Sequence, residues 1–274
     1  MDRIEELNTA IRAANRAAEI LLSYFRKIET VEQKGGNPQD ILTEADLEAE
    51  RAIVKIIQSN FGNHNILAEE TGFIKKNSTY TWVIDPLDGT TNFAQGLPYF
   101  GISIALFNRK SPVVAVTAAP VEGEIFYARK GKGAYLIEAD GTRFKIKVSE
   151  TDRLEQAFGI IEAGHKNIEL IKWANHLVPK IKKFRVLGST ALNLAYVAAG
   201  RIDFKLIAHI WTHDIGAGML LVKEAGGKVT LSEPLALDTE KKVRLLASNG
   251  KIHDELLREI KALTTASLPA EPST

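Results

Sequence analysis

A short apolar run that ends in closely spaced carboxylates constrains this chain more than any other feature. The segment reads Trp82-Val83-Ile84-Asp85-Pro86-Leu87-Asp88-Gly89-Thr90-Thr91-Asn92-Phe93. Its apolar start predicts a buried strand, and Pro86 fixes a turn between Asp85 and Asp88. Two carboxylates that converge across such a turn repel each other unless a cation lies between them. The fold must therefore bring both carboxylates to one site and supply a positive charge there.

The residue types around this turn favour a hard cation beside a phosphate group. Carboxylate oxygens are the ligands that suit Mg²⁺. Gly89 permits close backbone approach, and the hydroxyls and free N–H groups of a helix start at Thr90 can cradle phosphate. A plain strand, turn and capped helix would use the same residue types, with both aspartates as turn formers. The block as a whole is more specific than an isolated Asp-Gly pair.

Three further acidic positions are weaker candidates from the residues alone. Glu69 and Glu70 are adjacent, so their side chains point apart and at most one of them reaches a shared metal site. Asp46 closes the segment Thr43-Glu44-Ala45-Asp46, which resembles a capping box, so a helix cap is its ordinary role.

Asp214 directly precedes a predicted helix over 215–225, where the N-cap is its ordinary role. Gly216 and Gly218 are poor helix formers in the first turn of that helix. They predict close approach by another backbone or by a ligand. The neighbouring His213 is a candidate ligand or substrate contact, although a lone histidine is more often structural.

The order of predicted elements indicates layered α/β packing. Helices are predicted over 4–25, from near Thr43 to Asn60, and over 168–178, 190–199, 215–225 and 252–263. Strands are predicted over 82–85, 102–107, 113–118, 124–128, 134–137, 144–148, 158–162, 184–187, 203–207 and 245–248. The first half reads as an antiparallel meander and the second half alternates. We expect an N-terminal lobe over 1–150, a C-terminal lobe over 151–265, a loop around 35–38 and a disordered tail over 266–274.

Composition excludes several classes of function. The 274 residues carry a net charge of +1, which gives no sign of a nucleic-acid surface. There is no cysteine, so a thiolate nucleophile, a disulfide scaffold and a cysteine zinc site are excluded. No apolar run reaches the ~20 residues that span a bilayer. A charged N-terminus without an apolar stretch does not look like a secretory signal, so we expect a cytoplasmic protein away from membranes.

Taken together, these blocks resemble the inositol monophosphatase family of lithium-sensitive, magnesium-dependent phosphatases. The match rests on Ala68-Glu69-Glu70, on the segment from Trp82 to Phe93, and on Asp214-Ile215-Gly216-Ala217-Gly218 with Glu224-Ala225-Gly226-Gly227. Their order and spacing agree over roughly residues 5–260. The resemblance implies a five-layered αβαβα sandwich, direct attack by water on a small phosphate ester, and a homodimer.

The resemblance also implies roles for individual residues. Glu69, Asp85, Asp88, Asp214 and the Leu87 carbonyl would hold Mg²⁺. Catalysis would use Thr90, Asp46 and Glu69, with Thr90 orienting the attacking water. Substrate contacts would come from Gly89, Thr90, Gly188, Ser189 and His213. Glu70 stays the less certain of the two glutamates, and the cap assignments of Asp46 and Asp214 give way to these roles.

Two positions depart from the inositol-type pattern. Ile207 stands where such members usually carry a glutamate that grips inositol hydroxyls, and His213 stands where they usually carry a tryptophan. The substrate therefore stays open between a polyol or sugar monophosphate and a bisphosphate or nucleotide such as fructose 1,6-bisphosphate, adenosine 3′,5′-bisphosphate or NADP. Lys205 and Arg185 are candidates for a second phosphate pocket. A regulatory protein that keeps the fold is a third alternative, although all four metal carboxylates are present.

Overall fold

The computed structural model describes residues 2–27, 32–33, 41–163, 167–235, 237 and 242–265. Its helices are α1 Ile4–Tyr24, α2 Glu44–Asn60, α3 Thr90–Ala94, α4 Asn167–Leu177, α5 Thr190–Ala198, α6 Thr212–Glu224 and α7 His253–Thr265. Its first strands are β1 Glu32–Gln33, β2 Ile41–Leu42, β3 Asn65–Ala68, β4 Gly72–Ile74, β5 Tyr80–Asp88, β6 Gly101–Asn108 and β7 Ser111–Ala119. The later strands are β8 Glu124–Arg129, β9 Ala134–Ile137, β10 Arg143–Ile146, β11 Phe158–Glu162, β12 Lys183–Arg185, β13 Phe204–Ile210, β14 Lys228–Leu231 and β15 Val243–Ser248.

The larger sheet has eight strands in the order β10-β9-β8-β7-β6-β5-β3-β4. Its neighbours are antiparallel except for β3 and β5, which run parallel. The strand that carries the carboxylates, β5, therefore lies inside the sheet between β3 and β6. This confirms the antiparallel meander expected for the first half of the chain.

The smaller sheet has five strands in the order β12-β11-β13-β15-β14. The strands β12, β11 and β13 are parallel, whereas β15 and β14 run antiparallel to their neighbours. Side chains of parallel strands covered on both faces are apolar nearly throughout. Lys205 in β13 and Glu162 in β11 break this rule.

The helices and sheets stack in five layers, which pack together through three apolar cores. The helices α1 and α2 cover one face of the larger sheet. The helices α5 and α6 fill the space between the two sheets. The helices α4 and α7 cover the outer face of the smaller sheet. The expected αβαβα sandwich is confirmed, because each sheet buries both of its faces against helices.

Several predicted boundaries were wrong. The strand expected over 82–85 extends from Tyr80 to Asp88, because its backbone pairing with β6 continues past Pro86. The helix expected over 215–225 begins at Thr212. The short strands β3, β4 and β14 were not predicted, since each is too short to give a clear periodic pattern. The loop around 35–38 and the tail over 266–274 lie outside the described residues.

The larger sheet ends at Ile146 and the smaller one begins at Phe158. A boundary between lobes near residue 150 stays a prediction. Among the described residues, no helix combines the length and the apolar character needed to cross a membrane.

The second turn of α6 packs tightly because it carries two glycines, Gly216 and Gly218. A Cβ atom built on Gly218 would lie 2.4 Å from the Cβ of Leu194 in α5. A Cβ atom on Gly216 would lie 3.1 Å from the Phe107 ring. Close approach at these glycines is confirmed, but the approaching groups are the side chains of Leu194 and Phe107, whereas a backbone or a ligand was predicted.

Gly218→Ala should destabilise the protein even though alanine is the better helix former. Helix propensity favours alanine by about 1 kcal/mol, but overpacking a filled core costs about 1–3 kcal/mol and more at so short a contact. We expect a lower urea midpoint for Gly218→Ala. Lys223→Ala on the exposed side of α6 is the control and should leave the midpoint nearly unchanged. A variant Gly218→Ala as stable as the wild type would show that α5 and α6 have room between them.

Candidate metal centre

A bulge in β5 turns Asp85 and Asp88 toward the same side. Asp85 pairs with Ser103 of β6, but Asp88, three residues later, pairs with Gly101, two residues away. In a regular strand, residues three apart face opposite sides of the sheet. One extra residue in the bulge restores Asp88 to the side of Asp85. The turn predicted at Pro86 is thus a β-bulge within a continuing strand.

Asp214 reaches the same place from α6. The carboxylate oxygens of Asp85, Asp88 and Asp214 lie within 4.8 Å of one another. Asp214 is the third residue of α6, and its Oδ2 accepts from the backbone N–H of Trp211 at 3.2 Å. The expectation that Asp214 is the N-cap was wrong, because Trp211 occupies that position. A carboxylate at the third position can both cap the helix and point into the site.

Glu69 borders this cluster on the side of β3. It follows the last residue of β3, and its backbone N–H donates to the Ile84 carbonyl at 3.2 Å. Ala68 pairs with Ile84 in the parallel register, so Glu69 lies level with Asp85 on the adjacent strand. The structure therefore brings Glu69 near the three aspartates, as expected. The neighbouring backbone N–H of Glu70 donates to Glu50 instead, at 2.8 Å.

The acidic groups hold one another's pKa values high. Burial, followed by the negative charges of Glu69, Asp88 and Asp214, raises the pKa of Asp85 well above its usual value. Burial and Asp214 likewise raise the pKa of Asp88, against hydrogen bonds from Ser189 and the Ala191 N–H. Burial also raises the pKa of Asp214. Ionising all of these groups together in the absence of a cation is therefore unfavourable.

The donor set fits a hard divalent cation. Asp85 is only 1% exposed, and Asp214 is 9% exposed. Within the described ranges, no lysine or arginine forms an ion pair with Asp85 or Asp88, so the protein does not supply the compensating charge there. All donors are carboxylate or carbonyl oxygens, which Mg²⁺ prefers. The cluster could hold a metal ion.

Thr90 and Asp46 meet beside the cluster. The Thr90 hydroxyl lies 3.0 Å from the Leu87 carbonyl oxygen and 3.4 Å from Asp46 Oδ1. The other oxygen of Asp46, Oδ2, accepts from the Thr43 N–H at 2.8 Å and thus caps α2. The capping box and the contact to Thr90 therefore coexist, one on each carboxylate oxygen. Sequence reasoning had treated the two roles of Asp46 as alternatives.

The second half of the chain supports Asp88. One oxygen of Asp88, Oδ2, accepts from the Ser189 hydroxyl and from the Ala191 N–H, both at 2.6 Å. Ser189 is fully buried and is the N-cap of α5. Gly89, at φ +101°, lies so close that a Cβ there would be 3.1 Å from the Gly188 carbonyl oxygen. The predicted substrate residues Gly188 and Ser189 thus pack directly against Gly89 and Asp88.

The residues thought to set specificity lie in different surroundings. Ile207 is 3% exposed and belongs to the apolar core between the sheets. His213 Nε2 lies 3.2 Å from Asp214 Oδ1, and its ring stacks against Trp211. Among these, His213 alone touches a residue of the acidic cluster.

Lys205 is not available for a second phosphate pocket. It is fully buried and forms an ion pair with Glu162. Arg185 is exposed, and its guanidinium donates to the Phe184 carbonyl. The suggestion that Lys205 binds phosphate was wrong, because its charge is already neutralised inside the protein.

Sequence reasoning missed several buried polar residues that hold the site loops. Glu50 is 1% exposed and accepts from the N–H groups of Glu70 and Thr71. Asn92 donates to the carbonyls of Tyr99 and Leu187, both at 2.7 Å. A signal for Glu50 was available: it lies four residues after Asp46 and hence on the same helix face. Nothing in the local sequence marks Asn92, because its partners are distant along the chain.

Comparisons of the sequence and of the structure with known proteins agree on one protein family. The sequence model of the inositol monophosphatase family matches residues 2–265. A Thermotoga maritima protein named fructose-1,6-bisphosphatase/inositol-1-monophosphatase is 38% identical over 94% of this chain and 96% of its own length. The Vibrio cholerae Nus factor SuhB is 40% identical over 82% of this chain and 84% of its own length. A solved Thermotoga maritima IMPase superposes with a TM-score of 0.84 at 35% identity, covering 96% of this chain and 99% of that one.

Mg²⁺ should stabilise the folded protein, because it relieves the repulsion among the buried carboxylates. Saturation at about 100 times Kd adds about 2.7 kcal/mol, provided the unfolded chain does not bind. At about 2–4 °C per kcal/mol, Tm should rise by roughly 5–10 °C. Differential scanning fluorimetry of protein stripped with a chelator, with and without Mg²⁺, measures this shift.

Asp85→Asn should lose most of that shift and should melt higher than the wild type when both are metal-free. Asparagine keeps the shape of the side chain but removes one repelling charge. Asp152→Asn, at an exposed position, is the matched control and should behave like the wild type. A full Mg²⁺ shift in Asp85→Asn would remove Asp85 from the metal centre.

Proposed function

The chain belongs to the inositol monophosphatase family of phosphatases, and from this premise we propose that it is a Mg²⁺-dependent phosphomonoesterase acting on a small polyol or sugar phosphate. The observation that carries the proposal is the convergence of Asp85, Asp88 and Asp214 within 4.8 Å at a largely buried site. A cluster of this kind needs positive charge, and a phosphate ester needs its own negative charge neutralised. One set of cations meets both needs.

The proposed ligands are Glu69, Asp85, Asp88, Asp214 and the Leu87 carbonyl oxygen. When bound, Mg²⁺ neutralises phosphate oxygens, lowers the pKa of water and stabilises the departing alkoxide. The Leu87 N–H donates to Asp85 Oδ1 at 3.0 Å, which limits the orientations open to that carboxylate. Ser189 and the Ala191 N–H do the same for Asp88, so one of its oxygens stays available.

Thr90 and Asp46 are the proposed groups that orient the attacking water. The Thr90 hydroxyl gives its proton to the Leu87 carbonyl or to Asp46, so its oxygen lone pairs can accept a hydrogen bond from water. That water bonds to phosphorus through its oxygen and gives up one proton, while the ester P–O bond breaks on the opposite side and the departing alkoxide takes up one proton from solvent. The products are an alcohol and inorganic phosphate. Glu69 is the proposed third catalytic group.

Backbone N–H groups of Gly89 and Thr90 are proposed to bind the phosphate oxygens. Gly188, Ser189 and His213 are proposed to contact the substrate. Gly188 is exposed beside the turn at Gly89, which supports such a contact. Ser189 is fully buried and already bonded to Asp88, so its part is to shape the site from behind.

A polyol or sugar monophosphate suits this site better than a nucleotide bisphosphate. A second phosphate needs its own cationic pocket, and Lys205 is neutralised by Glu162. A sugar bisphosphate is the second candidate, because the similar Thermotoga maritima protein is named fructose-1,6-bisphosphatase/inositol-1-monophosphatase. The burial of Ile207 leaves the usual hydroxyl-gripping position without an acceptor, which disfavours myo-inositol 1-phosphate.

A regulatory role beside catalysis is suggested by the relatives named Nus factor SuhB. The complete carboxylate set still supports catalysis, because a protein that only bound a partner would have no use for it. A homodimer, inhibition by lithium and a cytoplasmic location stay predictions that the family resemblance implies.

We expect Mg²⁺-dependent phosphate release from a panel of esters. The panel holds inositol 1-phosphate, 2′-AMP, glycerol 2-phosphate, fructose 1,6-bisphosphate, adenosine 3′,5′-bisphosphate, NADP and histidinol phosphate, each assayed with and without Li⁺. Asp85→Asn, shown to be folded, is the inactive control. Folded wild-type protein that releases no phosphate from any ester would contradict the proposal and favour a binding role.

Thr90→Val should lower kcat by about 10²-fold or more, because it removes the hydroxyl that orients water while keeping the shape of the side chain. The adjacent Thr91 is exposed, so Thr91→Val is the matched control and should retain activity. Steady-state kinetics on the preferred ester measure both. Equal activity of Thr90→Val and the wild type would exclude Thr90 from the reaction.

A further inference from the structure

Lys205 and Glu162 form a buried ion pair on the face of the smaller sheet that points toward α5 and α6. Lys205 is fully buried and Glu162 is 7% exposed. Burying two charges is unfavourable unless the pair is well hydrogen-bonded, and apolar residues often serve stability as well or better. Stability alone therefore does not account for this pair.

Besides pairing with Lys205, Glu162 accepts hydrogen bonds from the backbone of one short segment. Its Oε1 accepts from the N–H groups of Leu187 and Gly188, both at 2.9 Å. Asn193 of α5 donates to both of its oxygens at 3.4 Å. Burial opposes ionisation of Glu162, but the Lys205 ammonium and the Gly188 N–H outweigh it and lower its pKa. The carboxylate is thus a charged anchor for the backbone of Leu187 and Gly188. Together with Ser189, these residues form what we call the 187–189 loop.

The other side of this loop is tied to the first half of the chain. Asn92 donates to the Leu187 carbonyl at 2.7 Å. The Gly188 carbonyl oxygen packs against Gly89, and the Ser189 hydroxyl donates to Asp88. The N–H groups of Leu187 and Gly188 are therefore held by the smaller sheet. The carbonyls and the hydroxyl of the loop meet Asn92, Gly89 and Asp88.

We propose that Lys205 and Glu162 are positioning residues that fix the 187–189 loop and, through Ser189, the orientation of Asp88. Neither residue touches the acidic cluster of Asp85, Asp88 and Asp214. The Glu162 carboxylate holds the backbone N–H groups of the loop, and Lys205 keeps that carboxylate ionised and oriented toward the loop. This inference rests on the proposed function for its effect on turnover, but its effect on the loop does not depend on that function.

The pair also lies where a positioning role is expected. Glu162 ends β11, and the parallel strands β11 and β13 both direct their carboxyl ends toward the loops around the site. Ligands of open α/β sheets bind outside the carboxyl ends of the strands. At the opposite end, Asp203 precedes β13 and accepts from the Phe158 N–H at 2.7 Å. Asp203 is likewise a buried carboxylate that holds backbone, and it supplies a matched control.

The test uses three variants of the full chain. The double variant Glu162→Met with Lys205→Met removes both charges and the acceptor for the loop. The double variant Glu162→Gln with Lys205→Met removes both charges but keeps an acceptor oxygen. Asp203→Leu removes a buried side-chain carboxylate that accepts from a backbone N–H at the far end of the same sheet.

The first readout is amide hydrogen exchange of peptides covering residues 187–191. In the wild type, the amides of Leu187 and Gly188 should be protected although they lie outside any strand or helix. Both amides should exchange roughly tenfold to hundredfold faster in the Met/Met variant. The reason is that a hydrogen bond to a carboxylate stabilises the protected state of each amide by a free energy that corresponds to such a factor. They should recover in the Gln/Met variant and stay unchanged in Asp203→Leu. Unprotected amides in the wild type would overturn the proposal even if no variant folds.

The second readout is the Mg²⁺ concentration that produces half of the full rise in Tm. Where the protein shows turnover, kcat and KM are measured as well. Loss of groups that orient a ligand typically costs 10–100-fold in metal affinity or activity. We expect a midpoint raised roughly tenfold to hundredfold in Met/Met, with KM also raised, and partial rescue in Gln/Met. An unchanged midpoint in folded Met/Met, or an equal change in Asp203→Leu, would overturn the proposal. A wild type without turnover would refute the proposed function, while the exchange result would still decide this inference.

Discussion

Mutual repulsion among Asp85, Asp88 and Asp214 is the constraint around which the site is organised. The three carboxylates meet from two halves of the chain, and burial keeps water from screening them. Such an arrangement persists only if the surrounding structure holds each group in place. The bulge in β5 and the capping position at the start of α6 hold Asp85 and Asp214, whereas Ser189 and the start of α5 hold Asp88. A bound cation would then relieve a repulsion that the fold itself imposes.

The middle layer of the sandwich makes this convergence possible. The helices α5 and α6 lie between the sheets, and the starts of both helices face the turn that follows β5. Gly218 lets α6 lie close to α5, and Gly89 lets the turn lie against the 187–189 loop. A side chain at either position would push the facing segments apart. The glycines thus act on the site through distance, because one sets how near α6 lies to α5 and the other how near Gly89 lies to the 187–189 loop.

The support behind the site is polar and charged, although its surroundings are apolar. Glu50 holds the turn after Glu69, Glu162 holds the 187–189 loop, and Asn92 joins that loop to α3. Each is buried or half-buried and bonds to backbone atoms. Satisfied buried networks of this kind rigidify a structure and specify one arrangement. They also explain why Lys205 does not serve the substrate: its charge is committed to Glu162.

The sequence by itself determined the elements and the identity of the carboxylates. Apolar spacing predicted most helices and the meander, and the block from Trp82 to Phe93 with Asp214 indicated the metal centre. Tertiary structure alone decided how Asp46 serves two roles, that Asp214 lies inside α6, and that Lys205 is buried with Glu162. Local patterns report bonds between residues that are near in sequence. The network joining Glu162, Leu187 and Asn92 spans two sheets, so its partners are set by packing, which no local pattern encodes.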